Sequence, residues 1–269
     1  MSSPIPKKRL YIFTGKGGVG KTSLAMAMTK HLEHQGQQVQ YNSFYQDPER
    51  TLWKELSLPV LDIELFSSAE TYIARKLKST TIASWIMKTH FFKSLFQMVP
   101  GLGHMILLGH IIDELEKHPD LIVVLDSPAS GHALTMFESS SNFKKIFRAG
   151  LIVKDIERMH NFLATPNNLK TVVVTLATEL AMNEARDLKA ELDHNSTGPD
   201  LNVDIMVNDS FLKYLKDHNI SESDLPEFLA KKIELEKDII GNTPALPHVD
   251  EYGQSEIINK LTPLMGEFV

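Results

Sequence analysis

A glycine-rich turn set between an apolar strand and a helix constrains this chain more than any other feature. The segment reads "LYIFTGKGGVGKTSLAMAM", and Gly15-Lys16-Gly17-Gly18-Val19-Gly20-Lys21-Thr22 fits the pattern G-x-x-x-x-G-K-[ST]. Gly15, Gly17, Gly18 and Gly20 allow the backbone to wrap a phosphate with its amide N–H groups turned inward. The N-terminus of the following helix adds positive dipole charge at the same place. Lys21 is then expected to reach the β- and γ-phosphates of ATP or ADP, and the Thr22 hydroxyl to bind Mg2+. Val19 and Ser23 complete the expected binding segment. The alternative is a glycine turn that happens to end in Lys-Thr, which the flanking strand and helix argue against. One lysine suffices for the phosphates; Lys16 is an extra one.

The rest of the chain continues the strand–helix theme. Arg9 to Thr14, Val39 to Phe44, Leu121 to Leu125, Thr171 to Leu176 and Val203 to Val207 read as short apolar strands, with Thr243 to His248 as a last candidate. Continuous apolar runs of this kind suit strands buried on both faces. The expected fold is therefore α/β, a mostly parallel sheet covered by helices, of the P-loop NTPase type. Two helix-rich stretches, about 65–117 and 136–165, break the alternation. They read as insertions forming a helical subdomain on one side of the sheet, within a single domain over 1–269. Ser23 to Gln35 is the helix predicted after the loop, stopped by Gly36.

Composition removes several function classes. A formal net charge of -6 disfavours a nucleic-acid partner, which rewards clustered Lys and Arg. The basic run Lys7-Lys8-Arg9 reads as a solubilising patch. With no cysteine, thiolate zinc sites, thiol catalysis and cysteine-ligated clusters are excluded. No secretory leader or membrane-length apolar run is evident, so a cytoplasmic protein without stable membrane insertion is expected.

A metal partner for Thr22 is expected at the end of a neighbouring buried strand. Asp126, after "LIVVL", fits, although a strand-end carboxylate can also cap the turn that follows. With Lys16, Lys21 and Asp126 placed, the sequence resembles the deviant Walker-A ATPases, in which the early lysine of GKGGVGKT is the signature residue. The resemblance implies a homodimer in which Lys16 crosses the interface to nucleotide held by the other subunit. A cation supplied in trans adds charge at the transition state only after the protomers close.

Later stretches resemble the branch that contains the arsenical-pump ATPase ArsA and the ATPase targeting tail-anchored membrane proteins. "DSPASGH" looks like that branch's switch II, which assigns Asp126, Ser127, Pro128, Gly131 and His132 to it. "VPGLGHMILLGHIIDEL" and "LATELAMNEARDLKAEL" are similar to two of its helical segments. "MVND" resembles the strand end that reads adenine, making Asn208 the base-recognition candidate, and "PALPHVDEYG" places Pro247 beside the ring. Switch I departs from the pattern. Asp47 of "NSFYQDPERTL" matches the water-positioning carboxylate only with about two extra residues after the strand; an ungapped match puts Tyr45 there and leaves no base. Absent cysteines also remove the zinc and metalloid sites of relatives, so arsenite transport is not expected.

Trp85 to Ile112 is rich in Trp, Phe, Leu, Ile and Met. The resemblance implies a groove for an apolar client helix of a membrane protein; the competing reading is core packing. Met105, Leu108 and Ile112 have helical spacing and suit either, and Met98 is a further groove candidate. His104, His110 and His132 fall near suspected moving parts, without metalloprotease spacing. Two alternatives stand beside the client-capturing switch. One is a spatial organiser of the MinD or ParA type, with "SEIINKLTPLMGEFV" as an amphipathic tail; the other is a nucleotide binder with little turnover.

Overall fold

The computed structural model describes residues 8–44, 50–63, 65–90, 102–127, 151–194 and 201–269. Its frame is a six-stranded sheet in the order β2-β3-β1-β4-β5-β6, and every paired strand is parallel. The strands are β1 (Leu10–Gly15), β2 (Val39–Asn42), β3 (Ile122–Asp126), β4 (Leu169–Leu176), β5 (Val203–Ser210) and β6 (Ala245–Pro247). The expected α/β fold is the observed one. Each expected strand is present, with ends displaced by up to a few residues; β5 runs on through Asn208 and Asp209 to Ser210.

The helices are α1 (Lys21–His34), α2 (Arg50–Glu55), α3 (Leu65–Leu77), α4 (Thr80–Lys88), α5 (Leu102–Lys117), α6 (Leu151–Ala164), α7 (Glu179–His194), α8 (Phe211–Asp217), α9 (Glu227–Ile240) and α10 (Gln254–Leu261). A 3-10 segment, Thr262–Phe268, follows α10.

Successive side chains of a strand face opposite ways, and the core divides accordingly. Leu10, Ile12, Val123, Leu125 and Val173 join α3, α5, α6 and α7 in one apolar layer. Tyr11, Phe13, Val124, Val172 and Val174 join α1, α2, α10 and the 3-10 segment in the other. Every side chain of β1 from Leu10 to Phe13 is fully buried, which explains why its run shows no polar alternation. The loop after β1 therefore rises from the centre of the sheet. The chain passes from there to β2 on one side and later to β4 on the other, so the loop sits where the strand order reverses. In open parallel sheets such a point, at the carboxyl ends of the strands, receives ligands.

One expectation changes here, and two readings left open by the sequence are decided. Arg9 is no loose solubilising charge: its guanidinium donates to the Leu115 and His118 carbonyls at the end of α5 and lies over the Phe162 ring. Met105, Leu108 and Ile112 are core side chains, buried in the same layer as Tyr72 and Met159. The carboxyl-terminal tail also belongs to the core. Ile258, Leu261 and Met265 are buried with α1, so the apolar side of that tail is already covered. No helix among the described residues is long and apolar enough to cross a membrane.

Candidate functional site

The glycine loop keeps the shape its sequence implies. Gly15 has φ 140°, and a Cβ there would stand 2.2 Å from the Val174 carbonyl oxygen on β4. Gly20 has φ 94°, and a Cβ would stand 2.3 Å from Asn208 Nδ2 on β5. Both positions combine a left-handed backbone with a neighbour too close for any side chain, so glycine is required at each. Gly17 and Gly18, by contrast, face open space. Val19 is buried in the core beside the loop, and Ser23 lies in the first turn of α1.

The loop's two lysines separate. Lys21 turns inward, and its Nζ donates to the Lys16 carbonyl at 2.8 Å. Burial lowers its pKa, with the nearby Asp126 carboxylate opposing that shift. Lys16 turns away, its side chain 53% exposed, and pairs with Glu184 on α7 at 2.6 Å.

Behind the loop, Thr22 Oγ1 donates to Asp126 Oδ2 at 2.7 Å. Tyr41 on β2 donates to the same oxygen at 3.2 Å. The other carboxylate oxygen, Oδ1, is buried and has no hydrogen-bond partner among the described residues. Burial pushes the Asp126 carboxyl up to about 6, against the pull of Thr22, Lys21 and Tyr41. An orphaned oxygen on a desolvated carboxylate, one bond from a threonine hydroxyl, is a donor set that fits a small hard cation. Ser127 is buried, and its N–H donates to the Phe13 carbonyl at 2.9 Å, extending the β1–β3 pairing past Asp126.

At the far side of the loop, Asn208 Nδ2 donates to the Val19 carbonyl at 3.0 Å. The expected base reader is thus tied to the phosphate loop in this conformation. Pro247 pairs in register with Ser210 across β5 and β6, so it lies at the same sheet end as Asn208. The next residue, His248, stacks on Phe211 and contacts Asp209 Oδ1 at 2.6 Å. Beneath this corner, the buried Glu236 of α9 accepts from Ser210 Oγ at 3.1 Å and from the Leu212 N–H at 2.8 Å. A carboxylate at the start of α8 satisfies free amides and complements the helix dipole.

The structure thus brings Gly15 to Ser23, Asp126, Ser127 and Asn208 around one loop. Asp47, Pro128, Gly131 and His132 lie outside the described residues, as does Met98. Of the other two histidines, His104 is buried and stacks on Phe44, and His110 lies near Glu114 at 3.7 Å. Sequence reasoning missed Tyr41, Glu184 and Glu236. A strand-end tyrosine gives no local signal of a partner in another strand. Glu184 had a weak signal, since Glu184, Asp187 and Glu191 recur at helical spacing along α7.

A search of curated proteins finds no match to this chain. The family model of the anion-transporting ATPases matches residues 8–197, a span that begins just before β1 and ends beyond α7. It therefore includes the glycine loop, Asp126 and Glu184. With the loop, its threonine–aspartate pair and strands β1 to β4 of the parallel sheet all inside the matched span, the chain belongs to the anion-transporting ATPase family.

Proposed function

We propose that this protein is an ATP-hydrolysing homodimeric switch of the ArsA type, whose nucleotide-driven closure captures and releases an apolar helical segment of a partner. What carries the reading is the separation of the two loop lysines. Lys21 lies in the loop, its ammonium held by the loop's own carbonyl, as suits a cation that will meet phosphate there. The Lys16 side chain points out of the loop, half exposed, and meets Glu184 on α7. A second cation in that position serves a neighbouring protomer's nucleotide better than its own.

Within one protomer, the loop amides and Lys21 hold the phosphates, and Thr22 with Asp126 would hold Mg2+. Such an ion would supply positive charge to the phosphates of a bound nucleotide. Asp47 is the residue proposed to orient the attacking water and accept its proton. Asn208 and Pro247 flank the base. Because Asn208 now grips the Val19 carbonyl, base binding and the shape of the phosphate loop are linked through one amide.

For the client, the buried Met105 and Leu108 supply no docking face in this conformation. Support comes from α4 instead, where Ile82 is 50% and Trp85 70% exposed, one helical turn apart. The spatial-organiser alternative needs an available amphipathic tail, and here that tail is packed on α1.

Light scattering of the Asp47→Asn protein without nucleotide, with ADP and with ATP tests the switch. Dimer only with ATP is expected, and Lys16→Ala should weaken it. Equal hydrolysis by wild type and Asp47→Asn would retire Asp47 as the base.

A further inference from the structure

Lys16 is not simply exposed; it is held. Its ammonium meets Glu184 Oε1 at 2.6 Å, although the two residues lie far apart in the chain. Glu184 stands on a well-anchored support, since Met182, Ala185, Leu188 and Leu192 of α7 are all buried. The loop backbone at Gly15 is equally fixed against Val174. The movable part of the pair is the four-carbon stem of Lys16.

The surroundings favour a cation at this point. Gly15, Val174 and Thr175 line a cavity of about 300 Å³ together with the acidic Glu184, Asp187 and Glu191 of α7. The second oxygen of Glu184, Oε2, is buried without a hydrogen-bond partner among the described residues. Its negative charge is therefore offset chiefly by Lys16. Side-chain exposures of 53% and 41% keep the pair wet and open to screening by salt, so it is easily broken. A bond of this kind suits a catch better than a bolt.

We propose that Glu184 is a positioning residue that holds Lys16 against its own protomer, and that releasing it is a step in nucleotide-driven closure. The proposal rests on the reading that Lys16 acts in trans, and it assigns to Glu184 the setting of the dimerisation threshold. An exposed pair shifts an equilibrium by about threefold, and two pairs open in a symmetric dimer, so their loss should change the dimer constant by about tenfold.

The test is sedimentation equilibrium of the full chain at low salt with Mg2+ and a non-hydrolysable ATP analogue. Glu184→Gln should dimerise at about tenfold lower concentration than wild type, while Glu184→Asp, which keeps the charge, should return toward wild type. The gap should narrow at about 0.5 M salt, where exposed charges are screened. In a Lys16→Ala background the Glu184→Gln change should have no effect, which a merely structural role for Glu184 would not give. If wild type dimerises and Glu184→Gln matches it or dimerises less readily, the catch is overturned and the dimer reading stands. Should Glu184→Gln shift the Lys16→Ala protein as much as wild type, the catch is likewise overturned. Wild type that stays monomeric with the analogue at every concentration overturns the dimer reading itself.

Discussion

The two faces of the sheet are joined to their helices by different chemistry. On the α1 side, Leu24, Met28, Leu32, Ile258 and Met265 fill the gap with apolar volume. On the other side an equally apolar layer is overlain by a lattice of charges. Tyr72 donates to Asp155, Arg158 Nε meets Asp155 at 3.1 Å, and Arg158 reaches Asp113 at 2.7 Å. Arg75 of α3 extends the chain of contacts to Asp113 and Glu114 of α5. Apolar contact is tolerant of direction and strong in sum, so the α1 face holds the phosphate loop in place. Ion pairs are directional and cost much when half broken, so the helical layer is specified by alignment. The proposed switch would draw on both, a fixed floor under the glycine loop and a helical layer set by directional contacts.

The comparison is broken most directly at Asp155, whose side chain is fully buried. Asp155→Leu removes the acceptor shared by Tyr72 and Arg158 and should cost about 3 to 4 kcal/mol in denaturant unfolding. A loss under about 1 kcal/mol would mean the charges merely decorate the apolar layer.

The floor has its own weak point at Asp126. Its carboxyl, pushed to about 6 from an ordinary 3.8, stays neutral in the fold where the unfolded chain has ionised. A raised carboxyl makes the fold less stable as pH rises: the loss should begin near about pH 4, grow to roughly 3 kcal/mol by about pH 6 and then level off. Denaturation across that range should show the slope in wild type and lose it in Asp126→Asn. Mg2+ with nucleotide should flatten it too, because a bound cation favours the carboxylate.

Met265→Ala probes apolar packing alone and should cost about 2 kcal/mol at low and high salt alike, whereas the Asp155 effect should change with salt. The smallest effect on stability is expected at Trp85, which is mostly exposed. Trp85→Ser should move stability by under about 0.5 kcal/mol yet weaken binding of an apolar helical peptide, read by fluorescence anisotropy. Unchanged peptide binding would remove α4 as the docking face.

What could be read in the sequence follows the same division. The strands were legible because burial on both faces leaves continuous apolar runs, as in Leu10 to Phe13 and Ile122 to Leu125. The loop was legible because Gly15 and Gly20 answer to backbone geometry, which local sequence must satisfy. The end of β5 was missed because Asn208, Asp209 and Ser210 are polar, and the strand continues only where Val19, His248 and Glu236 meet them. The charge lattice was invisible for the same reason. Arg75, Asp113, Asp155 and Arg158 become partners through the packing of three helices, and nothing near each residue announces the others.

The packing of Ile258 and Met265 against α1 has a consequence for biosynthesis. The helix that carries Lys21 and Thr22 is synthesised before residues 254–268, which cover it. During that interval its greasy side stands bare in the nascent chain, an invitation to premature association. Closure of this apolar face therefore waits until residues 254–268 have been made, so two stretches far apart in the chain must meet before α1 is covered.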